Sequence, residues 1–196
     1  MTDIADPKTP TTRTFDGVVI PTPGTFDVDA SHSLVGFSVR HLMVSKTRGR
    51  FGSFTGVVAV AEDPLQSHVE ISIDVDSIAT GDDKRDGHLL SPDFFDAEQY
   101  PAITFTSTGI SDHREGRFVL EGDLTVHGVT RPVVLQATLE GVSSTPWGTE
   151  AIGFSATGEV NREDFGLTWN QALETGGVLV GKTARLEIEA ELNRRA

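Results

Sequence analysis

Strict alternation of apolar and polar residues constrains the fold of this chain more than any other feature. The clearest segments are 69–75, VEISIDV, and 184–192, ARLEIEAEL. Because successive side chains of a β-strand point to opposite faces, a period of two indicates strands with one buried face and one solvated face. The chain is therefore expected to consist mainly of amphipathic strands.

Less regular alternation elsewhere brings the number of predicted strands to about eight. The further segments are 26–28, 35–39, 50–60, 103–105, 118–124, 133–139 and 152–156. Short links with turn residues, such as Asp63-Pro64, separate them, which is typical of an antiparallel barrel or sandwich rather than of βαβ units. The glycines between residues 49 and 56 predict a bend or bulge.

The segment 77–100 interrupts the alternation and is too long for a hairpin turn. Its tripeptide SPD, residues 91–93, offers an N-cap residue, a proline suited to the first helical position and an acid for the helix N-terminus. Thr80 is a candidate cap for an earlier helix carrying Asp82 and Asp83. We therefore expect two short helices that cross between strands over one mouth of a barrel.

Residues 1–24 are rich in threonine and proline and contain no apolar run longer than Val18-Val19-Ile20. A secretory signal needs about 7–15 apolar residues and a membrane helix about 18, and neither pattern occurs. We expect a disordered arm over 1–24, because it buries too little apolar area to offset its ordering entropy, and a single domain over 25–196. The expected location is the cytoplasm, without stable membrane insertion.

Composition and spacing exclude several classes of site. The chain has no cysteine, which removes disulfide frameworks, zinc ribbons and thiol nucleophiles. A net charge of −13 argues against nucleic acid as a partner, since that needs a basic face. The six histidines form no H-x-H, HExxH or i, i+4 pair, so neither a metal nor a cofactor is predicted.

Two short motifs resemble functional patterns only in their letters. Segment 176–183, GGVLVGKT, satisfies GxxxxGK[ST], but strand-like alternation follows where a phosphate-binding loop needs a helix. A glycine-rich turn before the last strand is the better interpretation. The serine elbow G-x-S-x-G fails at 36–38 and 153–155, because the second glycine is missing.

The aromatic residues bear on what fills the predicted barrel. Eleven of them are phenylalanine, and several cluster along the strands. A barrel of about eight strands is just wide enough to be filled by side chains or to hold one slender ligand. The inward positions mix phenylalanine with valine, alanine and glycine and carry no charge, so a solid core and an apolar lumen are both compatible with the sequence.

Seven ordered blocks resemble the YceI-like polyisoprenoid-binding family. The blocks are FDVDASHS (26–33), FSVRHLMVSKTRGRF (37–51), TG with RDGHL (80–81 and 85–89), DFFD (93–96), YPAITF (100–105), GDLTVHGVT with PV (122–130 and 132–133) and NREDFGL (161–167). The resemblance implies an all-β, eight-stranded antiparallel, lipocalin-like β-barrel with a short helical crossover. It further implies a non-catalytic homodimer that holds a long-chain isoprenoid or fatty amphiphile in its lumen.

The resemblance also implies which residues contact the ligand. The residues expected along the lipid tail are Phe37, Val39, Phe51, Ile73, Val75, Phe105, Phe118 and Leu120. Those expected at the opening or close to the cavity are Phe94, Phe95, Tyr100 and Trp169. Arg85 and His88 are expected to face a polar or phosphate head group, because a planar guanidinium suits phosphate. A helix cap or an ion pair with Asp82 is the alternative role for Arg85.

Two other functions compete with lipid carriage. The first is an enzyme acting on a lipid, with His88, His127 and Asp86 converging beside the pocket. The second is a barrel with a solid core that acts through its surface as a dimeric stress-response module. A continuous apolar cavity would favour the carrier over the second alternative.

Overall fold

The computed structural model describes residues 11–145, 148–174 and 176–195 of the chain. Over these residues the chain forms one short α-helix, α1 (Asp83–Leu90), and thirteen strands. The strands are β1 (Thr12–Phe15), β2 (Val18–Pro21), β3 (Gly24–Val28), β4 (Leu34–His41), β5 (Ser45–Phe51), β6 (Phe54–Val60), β7 (His68–Asp74), β8 (Ile78–Ala79), β9 (Ala102–Arg114), β10 (Arg117–Val126), β11 (Val129–Ser144), β12 (Glu150–Asn161) and β13 (Val180–Arg194). No helix in this part of the chain is long and apolar enough to cross a membrane.

Eleven of the strands, β3 to β13, close into an antiparallel barrel whose wall is eight strands wide. Three positions in the wall each hold two consecutive short strands, namely β3 with β4, β5 with β6, and β7 with β8. β13 closes the wall, since it pairs with β12 on one side and with β4 and then β3 on the other. The expected eight-stranded antiparallel barrel with a short helical crossover is therefore confirmed.

The alternation of the sequence places one apolar face of each strand inside the barrel. Ile71 and Ile73 belong to the main apolar cluster, whereas Glu70 between the strand's apolar positions is exposed. A second, smaller cluster surrounds Phe26 and Ile152, both 0% exposed. The barrel thus has a sealed cluster near the chain termini and a larger apolar interior elsewhere.

A bend at Gly52 separates β5 from β6, as the glycines of this region predict. The Gly52 amide donates a hydrogen bond to the carbonyl of Ser77 at 3.0 Å, which holds the bend against the turn between β7 and β8. Gly56 allows a close approach, because a Cβ atom there would lie 2.4 Å from Cδ1 of Ile71. The bend lets one long segment serve two regions of a curved wall.

The N-terminal segment differs from the expected disordered arm. Residues 1–10 lie outside the described residues, but β1 and β2 pair as a hairpin, so the expectation of disorder is wrong for residues 12–21. Its turn is Asp16-Gly17, both at positive φ, which is a favoured hairpin turn. Ile20 is only 5% exposed, and this burial against the barrel supplies the stabilisation that composition did not reveal.

The helix α1 begins differently from the expectation. Its N-cap is Asp82 rather than Thr80, because the Asp82 carboxylate accepts a hydrogen bond from the backbone N–H of Arg85 at 2.9 Å. This bond, together with other local hydrogen bonds and contacts with nearby charged residues, lowers the pKa of Asp82 despite the opposing effect of desolvation. The cap fixes where the crossover starts above the barrel.

The second expected helix, which was to begin at residues 91–93, does not form. The amide of Asp96 donates to the carbonyl of Ser91 at 3.0 Å, and Asp96 itself has a φ of 47°. A left-handed residue ends a right-handed helical run after one turn. The segment 91–99 is therefore a series of turns, and the expectation of a second helix is wrong.

Candidate functional site

The barrel encloses a cavity of about 510 Å³ that runs between its two ends. This volume lies within the range of small-molecule sites, roughly 300–1,000 Å³. Its central wall consists of apolar side chains such as Phe105, Phe118, Leu120 and Leu186. The interior is hollow, which argues against the solid-core alternative.

Small residues on the inner face leave this space open. Ala137 of β11 and Ala156 of β12 are direct cross-strand partners, and both line the cavity. Gly122 lies beneath the ring of Phe105, whose Cζ would be 2.3 Å from a Cβ atom at Gly122. The wall therefore alternates between rings and methyl groups, and this shape suits a slender hydrocarbon chain.

Five residues with basic or imidazole side chains line the cavity at the end beside α1, which we call the helix end. They are Arg40, His41, Arg85, His88 and Arg162. The strand ends place them together, because His41 pairs with Val180 at the start of β13 and Arg162 follows the end of β12. The cavity is thus apolar along its length and basic at one end.

His88 is the centre of an aromatic group at the helix end. Its ring lies 4.7 Å from that of Trp169 and 5.1 Å from that of Phe94, edge-on in both cases. Its Nε2 is 2.9 Å from Oδ2 of Asp93, which orients the imidazole. Since all three rings belong to residues of the cavity wall, the group forms one side of the helix end.

The guanidinium of Arg85 is held in place by Thr80. Nε donates to the Thr80 hydroxyl at 2.7 Å, and Nη2 donates to the Thr80 carbonyl at 2.9 Å. Asp82 caps the backbone amide of Arg85, and the guanidinium forms no salt bridge with a carboxylate of the described residues. A guanidinium has five N–H donors, so Arg85 retains donors for a polar group in the cavity.

Arg162 is a buried cation that the sequence did not single out as a site residue. It is 5% exposed and donates from Nε to the carbonyl of Gly181 at 3.0 Å and from Nη1 to that of Leu167. Burial lowers the pKa of its guanidinium, with Glu163 acting in the opposite direction. These bonds tie the start of β13 to the segment after β12 and so shape the helix end. Its position within the NREDFGL block was the available signal.

The β1–β2 hairpin covers the opposite end of the cavity, which we call the hairpin end. Phe15 and Ile20 line the cavity there, and the ring of Phe15 lies 5.1 Å from that of His113. Arg13 reaches across to the backbone carbonyls of residues 61 and 62. The hairpin is thus fastened on both sides of the barrel end that it covers.

Twelve of the fourteen residues that the sequence assigned to ligand binding line this cavity. They are Phe37, Val39, Phe51, Ile73, Arg85, His88, Phe94, Phe95, Phe105, Phe118, Leu120 and Trp169. The other two pack elsewhere: Val75 is 1% exposed in a 3-10 turn, and the ring of Tyr100 lies 4.7 Å from that of His127. A contact of any of these residues with a ligand stays a prediction.

Sequence reasoning missed the part of the wall formed by β11 to β13 and by the hairpin. The missed residues include Leu135, Ala137, Ala156, Leu186 and Ile188. The signal was available, because these are inward positions of the alternating segments. The hairpin residues carried a weaker signal, the Asp16-Gly17 turn between two short apolar runs.

The three residues of the enzyme alternative make separate contacts. His88 bonds to Asp93, whereas both carboxylate oxygens of Asp86 accept from the Thr80 amide, at 3.0 and 3.1 Å. His127 packs on an aromatic ring and, unlike His88, is not part of the cavity wall. The arrangement therefore offers no His–carboxylate pair made of these three residues.

One group of side chains has the spacing of metal ligands, namely Asp29, His32 and Glu191, whose ligand atoms lie within 4.8 Å of one another. Nδ1 of His32 is 3.0 Å from Asp29 and 3.8 Å from Glu191, and Asp29 also accepts from Ser31. Hydrogen bonds from Ser31 and then His32 lower the pKa of Asp29, and Asp29 in turn raises the pKa of His32. These contacts join the β3–β4 link to β13, and they explain why the three side chains lie together without a metal ion. We call Asp29, His32 and Glu191 the clasp.

Comparisons with known proteins agree with this architecture. The family model of the YceI-like domain matches residues 26–192. A UPF0312 protein of Staphylococcus aureus is 38% identical over 170 residues, which cover 86% of this chain and 96% of the relative.

Solved structures share the fold. A Campylobacter jejuni YCEI protein aligns with a TM-score of 0.69 and 31% identity, over 80% of this chain and 90% of its own. Burkholderia cenocepacia BcnA aligns with a TM-score of 0.73 and 22% identity, over 84% of this chain and 98% of its own. A structure described as a polyisoprenoid binding domain from Saccharophagus degradans has a TM-score of 0.67 and 18% identity, over 87% of this chain and 98% of its own.

Proposed function

We propose that this chain, which belongs to the YceI-like domain family, binds and carries a long-chain isoprenoid or a similar amphiphilic lipid inside its barrel. The single observation that carries the proposal is the hollow apolar lumen of about 510 Å³. The Saccharophagus degradans domain of the same fold is described as polyisoprenoid binding, which supports the choice of ligand class.

Removal of hydrocarbon from water supplies the binding energy in this proposal. Each buried CH2 group contributes about 0.8 kcal/mol, so ten carbons contribute about 8 kcal/mol, which corresponds to micromolar affinity before association costs. Longer tails add less, because affinities saturate and ordering costs rise. The lumen therefore selects the length and shape of the tail.

The head group is placed at the helix end in the proposal. Arg85 retains N–H donors there, and His41 and His88 are part of the same wall. The hairpin end is covered by Phe15 and Ile20, and among the described residues of the wall it offers the imidazole of His113 but no arginine or lysine. A phosphate or hydroxyl head at the helix end and a tail toward the hairpin satisfy both environments.

Extraction of the purified protein with organic solvent, followed by mass spectrometry, tests the proposal. We expect a long-chain lipid in near-stoichiometric amount, and its mass identifies the ligand. Protein that carries no lipid, and that also binds no isoprenoid alcohol added in solution, would show the proposal to be wrong.

A pair of neighbouring variants separates loss of the cavity from loss of the fold. Ala156→Phe fills the lumen from β12, and we expect it to abolish lipid retention. Thr157→Phe places the same ring on the exposed outer face of the same strand, and we expect normal retention. Equal retention in both variants would contradict binding in the lumen.

Two further properties stay predictions from the sequence, namely a cytoplasmic location and a homodimer. Cell fractionation with an antibody against the protein checks the location. Light scattering on the purified protein checks the oligomeric state. Lipid binding inside one barrel requires neither property.

A further inference from the structure

The turn between β4 and β5 presents three apolar side chains to solvent. Leu42, Met43 and Val44 are 38%, 56% and 80% exposed. Leu42 and Met43 have φ values of 52° and 60°, a conformation for which hairpin turns normally use glycine, asparagine or aspartate. Neither burial nor backbone conformation accounts for apolar residues here. We call residues 42–44 the apolar tip.

A concentration of positive charge flanks the apolar tip. Residues 40–50 contain four cations and no acid, in a chain whose net charge is −13. Arg40 lies directly opposite Lys46 in the strand register, an arrangement in which like charges repel. Lys46, Arg48 and Arg50 are exposed and alternate along β5, so they share one face of the strand. None of the four cations forms a salt bridge with a carboxylate of the described residues.

The apolar tip adjoins the helix end of the cavity. The Leu42 amide donates to the carbonyl of Leu179 at 2.9 Å, and Leu179 is part of the cavity wall. His41 and Thr47, on the two strands that carry the tip, also line the cavity. A surface that contacts the tip therefore meets the end of the cavity where a lipid head group is placed.

We propose that the apolar tip and its flanking cations dock the helix end onto the surface of an anionic lipid bilayer. The inference rests on the proposed function, because it gives the lipid a route between a membrane and the cavity. Apolar side chains enter the boundary between head groups and acyl chains, and the cations contact lipid phosphates. The acidic remainder of the chain is repelled by the same surface, which orients the barrel with its helix end toward the bilayer.

Flotation with vesicles tests the docking. We expect the protein to float with vesicles of about 30% phosphatidylglycerol in phosphatidylcholine and to remain unbound with phosphatidylcholine alone. Raising the NaCl concentration from about 0.1 M to about 0.5 M is expected to release it, since salt screens exposed charges.

Matched variants identify the surface. Met43→Asn with Val44→Asp replaces the two most exposed side chains of the apolar tip and adds one negative charge. Asn at residue 43 suits the left-handed backbone, so the variant is expected to fold as well as the wild type. Lys46→Gln with Arg48→Gln removes two cations, each of which strengthens binding about five-fold. We expect either pair to weaken vesicle binding at least about ten-fold. The control pair, Arg114→Gln with Arg117→Gln, removes the same charge from exposed positions at the hairpin end and is expected to change binding less than about two-fold.

Three outcomes overturn the docking. One is wild-type protein that fails to float but contains extractable lipid, which leaves the proposed carrier function intact. Another is an equal loss of binding in the control pair. The third is a dimer in light scattering that Met43→Asn with Val44→Asp converts to monomer, because a second copy would then cover the apolar tip. Flotation of protein that never contains lipid would retain the docking and remove the carrier function.

Discussion

At the scale of single residues, the width of the lumen depends on glycine and alanine positions on the inner wall. Gly122 is the sharpest case, because a Cβ atom there would lie 2.3 Å from the Phe105 ring and 2.7 Å from the backbone oxygen of Thr106. The ring can turn toward the empty lumen, but the backbone oxygen cannot yield as easily.

We therefore predict that Gly122→Ala lowers the free energy of unfolding by about 1–3 kcal/mol and reduces the room for a ligand. Urea unfolding and the amount of extractable lipid measure the two effects. Gly109→Ala is the control, since it lies opposite Glu121 in the same strand pair and its Cβ would meet only the flexible Glu121 carboxylate at 3.6 Å. Equal destabilisation by both substitutions would contradict the close contact.

A second residue-scale prediction concerns the clasp of Asp29, His32 and Glu191. The pKa of His32 is raised above its ordinary 6.5, mainly by the hydrogen bond with Asp29, so its stabilising contribution is present below that value and is lost as pH rises through the folded-state pKa. The pKa of Asp29 is lowered from 3.8, chiefly by Ser31, so its contribution is lost only in strong acid.

His32→Gln is accordingly expected to destabilise the protein more at about pH 5.5 than at about pH 9, where His32 is neutral in both states. Denaturant unfolding of the wild type, His32→Gln, Asp29→Asn and the double variant forms a double-mutant cycle. It gives the interaction free energy between His32 and Asp29 at each pH. A coupling that is larger at the higher pH would show that the imidazolium does not stabilise the clasp.

At the scale of elements, α1 and the turns after it position the aromatic group at the helix end. The chain has two tryptophans, Trp147 and Trp169, and Trp169 contacts both His88 and Phe94. In a Trp147→Phe variant, all tryptophan fluorescence therefore comes from Trp169 and reports on this aromatic group.

In that variant we predict that a long-chain isoprenoid alcohol changes the intensity or emission maximum of Trp169 with saturation. A short alcohol such as butanol, at the same molar concentration, is the control and is expected to leave emission unchanged, because it buries too little hydrocarbon to bind. Unchanged emission with a ligand that mass spectrometry shows to be bound would place the ligand away from the helix end.

The N-cap of α1 gives another prediction at this scale. Asp82→Ala removes the acceptor for the Arg85 amide and is expected to speed hydrogen exchange in residues 84–90 several-fold, while the barrel strands keep their protection. Mass spectrometry of peptic peptides measures both regions. Uniformly faster exchange across the barrel would instead indicate that α1 and the wall unfold together.

Comparison of the elements with the sequence shows which of them local sequence patterns can predict. Period-two alternation identified the barrel strands, and the resemblance to the YceI-like family pointed to wall residues on β4, β5, β7, β9 and β10. The second helix was not predictable in the same way, because the Ser91 cap signal is also compatible with a turn, and the left-handed Asp96 decides the outcome. The hairpin of β1 and β2 was missed because its stability comes from burying Ile20 on a distant part of the chain, which local composition does not report.

At the scale of the whole molecule, the hairpin is an addition to the barrel, since the family match begins at residue 26. Deletion of residues 1–21 is expected to lower the free energy of unfolding by about 2 kcal/mol, the burial energy of a side chain such as Ile20. It is also expected to speed lipid release, because it uncovers the hairpin end. Transfer of a fluorescent lipid to acceptor vesicles measures release. Deletion of residues 1–10 keeps the hairpin, and equally fast release from that variant would contradict its covering role.

Coverage of one end by Phe15 and Ile20 has a kinetic consequence. If lipid enters and leaves the barrel only at the helix end, a second lipid can bind only after the first has dissociated through the same opening. An incoming lipid therefore cannot displace the bound one through the far end. The rate of exchange is then set by the outgoing step alone, and a large excess of competitor leaves it unchanged.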